Sequence, residues 1–163
     1  MWVFIDYDST PTSTSCDDVV VTARGDIENL MALYTEALDD ARFTNLGELF
    51  ADATVTIEGG PHDGARAAGR RAVRDLYEAI VALDTDGRTG TRHFISNTFV
   101  QIDGARATAR SYFAVSQQTA TLPLQMVACG AYRDEYRCVD DVWLFATRHI
   151  VCDQVGDLRQ HMR

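Results

Sequence analysis

Thr91-Arg92-His93-Phe94-Ile95-Ser96-Asn97-Thr98-Phe99-Val100-Gln101-Ile102-Asp103-Gly104-Ala105-Arg106-Ala107-Thr108-Ala109-Arg110 is the stretch on which the fold turns. Apolar and polar residues alternate along it, the period of a half-buried strand. Asp103-Gly104 interrupts the alternation with the residues that a tight hairpin turn requires. Thr91 to Ile102 is therefore expected to pair with Arg106 to Gln117. Two further strands, Leu124 to Tyr136 and Val142 to Val151, meet around Asp140-Asp141. From Thr91 onward the chain reads as an antiparallel meander.

Before Thr91 the period is helical. Ile27, Leu30, Met31, Tyr34 and Leu38 fall on one face of a helix, with Asp26 as its expected N-cap. A short helix is expected over Leu46 to Phe50, with Thr44 as a possible cap. Ala53 to Glu58 reads as a strand, and Gly59-Gly60-Pro61-His62-Asp63-Gly64 as a loop. A third helix is expected from about Arg70 to Leu83, with Val73, Leu76, Tyr77 and Ile80 on its apolar face. Helices followed by a strand meander make an α+β architecture rather than βαβ units. Residues 1–22 read as a flexible leader and 23–160 as one domain, without repeats.

The chain has 163 residues, 46% of them hydrophobic, enough for a substantial core. Its net charge of -9 argues against nucleic acid and anionic membranes as main partners. All 15 basic residues are arginine, which removes Schiff-base chemistry and a P-loop lysine. Cysteines 16, 129, 138 and 152 form no C-x-x-C pair and no zinc spacing, so free thiols in a reducing cytoplasm are expected. Cys129 and Cys138 read as small buried hydrophobes. No run approaches the roughly 18 apolar residues of a membrane span.

Several residues carry chemistry. His93 shares a strand face with Ile95, Asn97 and Phe99, and on the residues alone reads as a core histidine held by one hydrogen bond. A carboxylate beside it would make it a proton-transfer group working near neutral pH. Asp39 follows Leu38 at the end of the first helix, where a turn aspartate is equally ordinary. Tyr34 lies on the apolar stripe, as core aromatic or as pocket donor. Arg148 alternates with apolar residues and needs a partner, either a structural carboxylate such as Glu135 or a substrate oxygen. Asn97 either polarises a substrate oxygen or caps buried backbone. Tyr112, Tyr132 and Tyr136 read as pocket or core wall, and Trp143 and Phe145 as core. His149 points away from Arg148. His62-Asp63 supplies two ligands, too few for a metal site.

Tyr34-x-x-x-Leu38-Asp39, Leu49-Phe50-Ala51-Asp52-Ala53, Arg92-His93-Phe94-x-x-Asn97, Gly130-x-Tyr132-x-Asp134-x-Tyr136 and Val142-Trp143-x-Phe145 follow one another in this order. Together, from Ile27 to Asp157, they resemble the SnoaL-like branch of the nuclear-transport-factor-2-like superfamily. Within it the nearest likeness is to scytalone dehydratase and hexachlorocyclohexane dehydrochlorinase. The resemblance implies a cone-shaped barrel, a curved antiparallel sheet wrapped over three N-terminal helices (cystatin-like), around a closed apolar pocket.

It also implies a His–Asp dyad of His93 as general base and Asp39 as its orienting partner. Tyr34, Arg148, Asn97, Tyr112 and Tyr132 would then bind substrate. The dehydrochlorinase has a lysine where this chain has Tyr34, and a phenol suits an oxygen on the substrate rather than a leaving chloride. The implied activity is a cofactor-independent, metal-free lyase, isomerase or polyketide cyclase, dehydration first, on a small apolar or polycyclic substrate. The alternative is a non-catalytic binding or accessory subunit, such as a dioxygenase small subunit. The superfamily associates through its sheet, so a cytoplasmic homodimer or homotrimer is expected, with Phe94, Val100 and Phe113 on the outer face. The arginine-only composition fits secondary metabolism or degradation.

Overall fold

The computed structural model describes residues 16–163. Three helices, α1 (Cys16–Asp39), α2 (Phe43–Leu49) and α3 (Arg70–Ile80), pack against one sheet. Its strands are β1 (Thr54–Gly59), β2 (Arg66–Ala68), β3 (Thr91–Asp103), β4 (Arg106–Gln117), β5 (Gln125–Val139) and β6 (Val142–Val155). Their spatial order is β2-β1-β6-β5-β4-β3, so the sheet is open at β2 and β3. The meander is antiparallel as expected, but β1 runs parallel to β6, from Thr54 opposite Thr147 to Gly59 opposite Cys152. The sheet is therefore mixed and curved, and it does not close into a barrel.

Helix α1 buries Ile27, Met31, Tyr34 and Leu38, the stripe that the helical period marks. It reaches back to Cys16, into the span read as leader, so Asp26 lies inside the helix and caps nothing. The expected flexibility of residues 1–15 falls outside the described residues. Helix α2 starts at Phe43 with Arg42 at its N-cap and no side-chain cap, which places Thr44 in its first turn. Between α1 and α2 the chain turns at Ala41, whose φ of 54° lies in the left-handed region. The Arg42 N–H reaches back to the Ala37 carbonyl at 2.8 Å and closes the end of α1.

The first part of the glycine loop folds as a short 3-10 turn over Gly60–His62, followed by β2. At Gly59 (φ 76°) a side chain would run into the Cys152 carbonyl, so only glycine lets β1 lie this close to β6. Tyr136, Trp143 and Phe145 are core, as expected. Phe50 stacks on Phe145 with ring centroids 4.8 Å apart and joins α2 to the sheet. Cys129 and Cys138 are free and half-buried.

On the outer face, Phe94, Phe99, Tyr112 and Met126 are exposed. Phe113, expected on that face, instead points inward and stacks on Tyr132 at 4.6 Å. Val100 is partly buried against the core. Among the described residues no helix is long and apolar enough to cross a membrane.

Candidate active site

The end of α1 delivers Asp39 to the start of β3. A carboxylate in the last turn of a helix opposes the helix dipole, so Asp39 is not placed there for the helix's sake. Its compensation comes from β3. Asp39 Oδ1 lies 2.6 Å from His93 Nδ1 and accepts from Thr91 Oγ1 at 2.7 Å. Asp39 Oδ2 accepts the His93 backbone N–H at 2.9 Å. The Asp39 carbonyl accepts from Thr89 Oγ1 at 2.6 Å. The two side chains of the pair are each 9% exposed.

Burial alone would raise the Asp39 carboxyl. The hydrogen bond and charge of His93, with Thr91 and the backbone donor, outweigh burial and hold it below its ordinary value. An ionised Asp39 requires a proton on His93 Nδ1, which leaves Nε2 with the free lone pair in the neutral imidazole.

His93 lines a partly open cavity of about 80 Å³ between the helices and the sheet. Leu38, Ile80, Val81, Phe113 and Val115 give it apolar walls, and β1 and the 3-10 turn contribute Ile57, Pro61 and His62. One group of polar side chains is tyrosine: Tyr34, Tyr77 and Tyr132 all line the cavity. Tyr34 and Tyr77 share a hydrogen bond of 2.7 Å between their hydroxyls. Burial pushes all three phenols above their ordinary value, so they stay protonated donors at neutral pH.

Arg148 stands behind these rings. Its guanidinium lies 4.0 Å from the Tyr34 ring centroid and 4.3 Å from that of Tyr132. Two hydrogen bonds, 2.9 and 2.7 Å, tie it to Asp134, and neither side chain is exposed. Burial opposes its charge, but Asp134 outweighs burial and keeps it protonated.

Of the residues singled out in the sequence, His93, Tyr34 and Tyr132 line the cavity, with Asp39 directly behind His93. Three do not. Arg148 is walled off by the tyrosines and bound to Asp134, not to the expected Glu135. Asp134 shares the inward face of β5 with Tyr132 and Tyr136, whereas Glu135 alternates outward. Asn97 is exposed, because a bulge between Ser96 and Phe99 shifts the register, and its φ of 53° breaks the alternation. Tyr112 is 57% exposed, on the opposite face from its neighbour Phe113. His149 faces away from the cavity, as expected, between Thr56 and Glu58. Asp63 accepts the Gly59 N–H at 2.7 Å, while His62 joins the cavity lining.

The sequence reading missed Tyr77, Cys152 and His161 as cavity residues. Tyr77 was visible on the apolar face of α3. His161 carried no local signal, since the segment after β6 has no period.

Residues 19–149 match the family model described as a SnoaL-like domain. A Novosphingobium aromaticivorans protein described as a candidate scytalone dehydratase shares the fold at a TM-score of 0.68 and 25% identity, covering 86% of this chain and 91% of its own. LinA, the hexachlorocyclohexane dehydrochlorinase, matches at 0.69 and 19% identity, covering 88% and 94%. The beta subunit of a candidate aromatic-ring-hydroxylating dioxygenase from Novosphingobium aromaticivorans matches at 0.68 and 18%, covering 85% and 94%. No curated protein matches the chain.

Proposed function

Since this chain belongs to the SnoaL-like family, we propose that it is a cofactor-independent lyase or isomerase of the dehydratase type, with His93 as general base and Asp39 as its orienting partner. The observation that carries this reading is the 2.6 Å link between Asp39 and His93 Nδ1, with His93 at the wall of an apolar cavity. His93 Nε2 takes a proton from carbon next to a carbonyl, and the C–H electron pair moves toward the oxygen. Asp39 stabilises the imidazolium that forms, in the manner of an Asp–His pair. In an elimination the returning electrons expel a β-hydroxyl, which takes the imidazolium proton and leaves as water. His93 is then neutral again. Cyclisation or isomerisation uses the same first step and returns the proton to carbon.

The cavity's size and walls favour a small, neutral, largely apolar substrate over a polycyclic one. The charge of Arg148 is neutralised by Asp134, so the substrate's oxygen meets neutral donors rather than a free cation. Tyr34, Tyr77 and Tyr132 supply such donors, protonated and preorganised, although one hydroxyl proton is used within the Tyr34–Tyr77 bond.

The test is hydrogen–deuterium exchange at the α-carbon of small neutral ketones and β-hydroxyketones in D2O, followed by NMR. The wild type is expected to accelerate exchange at least about 100-fold over His93→Gln, the usual range for general base catalysis. Equal rates across the panel would remove the reading.

A second reading, an accessory subunit, has the dioxygenase beta subunit's fold in its favour. A chain of that class would exchange nothing and would be stabilised by a second, different chain. Self-association as a homodimer or homotrimer through Phe94, Phe99 and Tyr112 belongs to the same proposal, and sedimentation of wild type against Phe94→Glu tests it.

A further inference from the structure

After β6 the chain folds back over the cavity and is pinned there. The Ala82 N–H donates to the His161 carbonyl and the Arg163 N–H to the Ile80 carbonyl, each at 2.9 Å, so this segment is fastened to the end of α3. From the sheet side, Gln117 Nε2 donates to the Thr89 and Gln160 carbonyls, both at 2.9 Å. Val81 and Met162 form an isolated bridge. These fastenings hold the His161 imidazole in the cavity wall, 5% exposed. Its Nδ1 is buried and makes no hydrogen bond within the protein. A buried polar group without a partner is unfavourable, and native proteins keep few of them. His161 is also close enough to the dyad to feel the charges of His93 and Asp39.

We infer that His161 is a second catalytic residue of this site, a neutral imidazole that donates a hydrogen bond to the substrate oxygen while His93 removes the proton. The inference rests on the general-base reading of His93. Burial and the neighbouring His93 lower the His161 imidazole to about 4, so at neutral pH it carries no charge. A neutral imidazole has a ring N–H to offer and does not repel the imidazolium that forms on His93. It is the pattern in which a histidine polarises a carbonyl without protonating it. No proton changes hands at His161. Charge that accumulates on the oxygen is met by the donor and returns to carbon, or leaves with the hydroxyl, in the next step. The cavity thereby acquires a donor for the oxygen beside the base, without drawing on Arg148.

The experiment uses the full chain with 15N-labelled histidine and phenol as probe, a small, flat, neutral molecule with one oxygen. Binding is expected to move the ring nitrogen resonances of both His93 and His161 and to leave outward-facing His149 in place. His161→Phe should weaken phenol binding about tenfold, and His161→Gln, which keeps an N–H donor, should recover most of that loss. The wild-type spectra decide the matter even if either variant folds poorly. A shift at His93 without one at His161 overturns the inference and leaves the general base standing. A shift at neither histidine, or no binding, overturns both.

Discussion

Replacing Asp39 with asparagine exchanges one carboxylate oxygen for an amide NH2 and separates what the carboxylate holds from what it does. Asp39 accepts three side-chain-directed hydrogen bonds: from His93 Nδ1 (2.6 Å) and Thr91 Oγ1 (2.7 Å) on Oδ1, and from the His93 backbone N–H (2.9 Å) on Oδ2. An amide has one acceptor oxygen. If that oxygen takes the Oδ1 position, its NH2 faces the His93 backbone N–H, donor against donor. If the amide is turned over, the NH2 faces His93 Nδ1, which must then accept, and the ring proton moves to Nε2.

The first arrangement leaves a nearly buried backbone donor unpaired. The second removes the base. Hydrogen bonds to a charged group are each worth about 1.5–3 kcal/mol, and Asp39→Asn loses the charge and at least one of them, so a destabilisation of about 2–3 kcal/mol is expected. For a chain of this size that is a fall in Tm of roughly 4–10 °C. Activity in the deuterium exchange assay should drop more steeply, on the order of 1,000-fold or more, because the tautomer is wrong even when the fold survives. Differential scanning calorimetry and the exchange assay on the same sample read the two effects. A variant that melts within about 1 °C of wild type and exchanges at an unchanged rate would refute the reasoning. The sign with pH is fixed as well. The carboxyl is held below 3.8, so its contribution is present above that value and disappears as pH falls through the lowered one. The gap between wild type and variant should therefore close in acid.

Asp134→Ala leaves the fully buried Arg148 charge without its carboxylate, and urea unfolding should show a loss of about 3–5 kcal/mol, whereas Arg148→Met with Asp134→Leu together should recover much of it. His161, lowered to about 4 from 6.5, stabilises the fold above pH 6.5, and the unfolded state takes up its proton first as pH falls toward 4. About 3 kcal/mol of stability should be lost across that window, and pH-dependent denaturation of His161→Phe should show that slope flattened. Tyr34, Tyr77 and Tyr132 are all raised above 10, so the stability tied to their protonated forms is present at neutral pH and lost as pH climbs past that value. Absorbance of tyrosinate should accordingly rise for these three only together with alkaline unfolding.

How much could be read from the chain depended on whether the deciding interaction was local. Asp103-Gly104 marks its own turn, and the α1 stripe of Ile27, Met31, Tyr34 and Leu38 is a local period, so both elements stand where the sequence puts them. The pairing of β1 with β6 joins Val55 to Arg148, which no local pattern announces. The three residues of β2 are too few to show a period. Strict alternation places Asp134 inward with Tyr132, a signal that was present and favoured Asp134 over Glu135 as the partner of Arg148. The same rule carried across the bulge after Ser96 mislaid Asn97. Asp39 and His93 were matched by family register, not by chemistry, since an aspartate after a helix and a histidine in a strand are ordinary residues. His161 was illegible because its position is fixed by hydrogen bonds to α3, 80 residues upstream of it in order of magnitude.

The parallel contact between β1 and β6 also sets the order of assembly. The meander from β3 to β6 is a run of sequence neighbours, and its tight hairpins, β3–β4 and β5–β6, are of the kind that close within microseconds. β1 waits for a partner about 90 residues later in the chain, from Thr54 to Thr147. During synthesis at roughly 5–20 residues per second, β1 and β2 therefore stand for seconds as an unmatched edge with Val55 uncovered. The strand that seals the sheet is made only after the rest of the meander has been synthesised. Slow steps in folding, and the exposure that invites chaperones, are thereby concentrated at the β1–β6 seam rather than at the site.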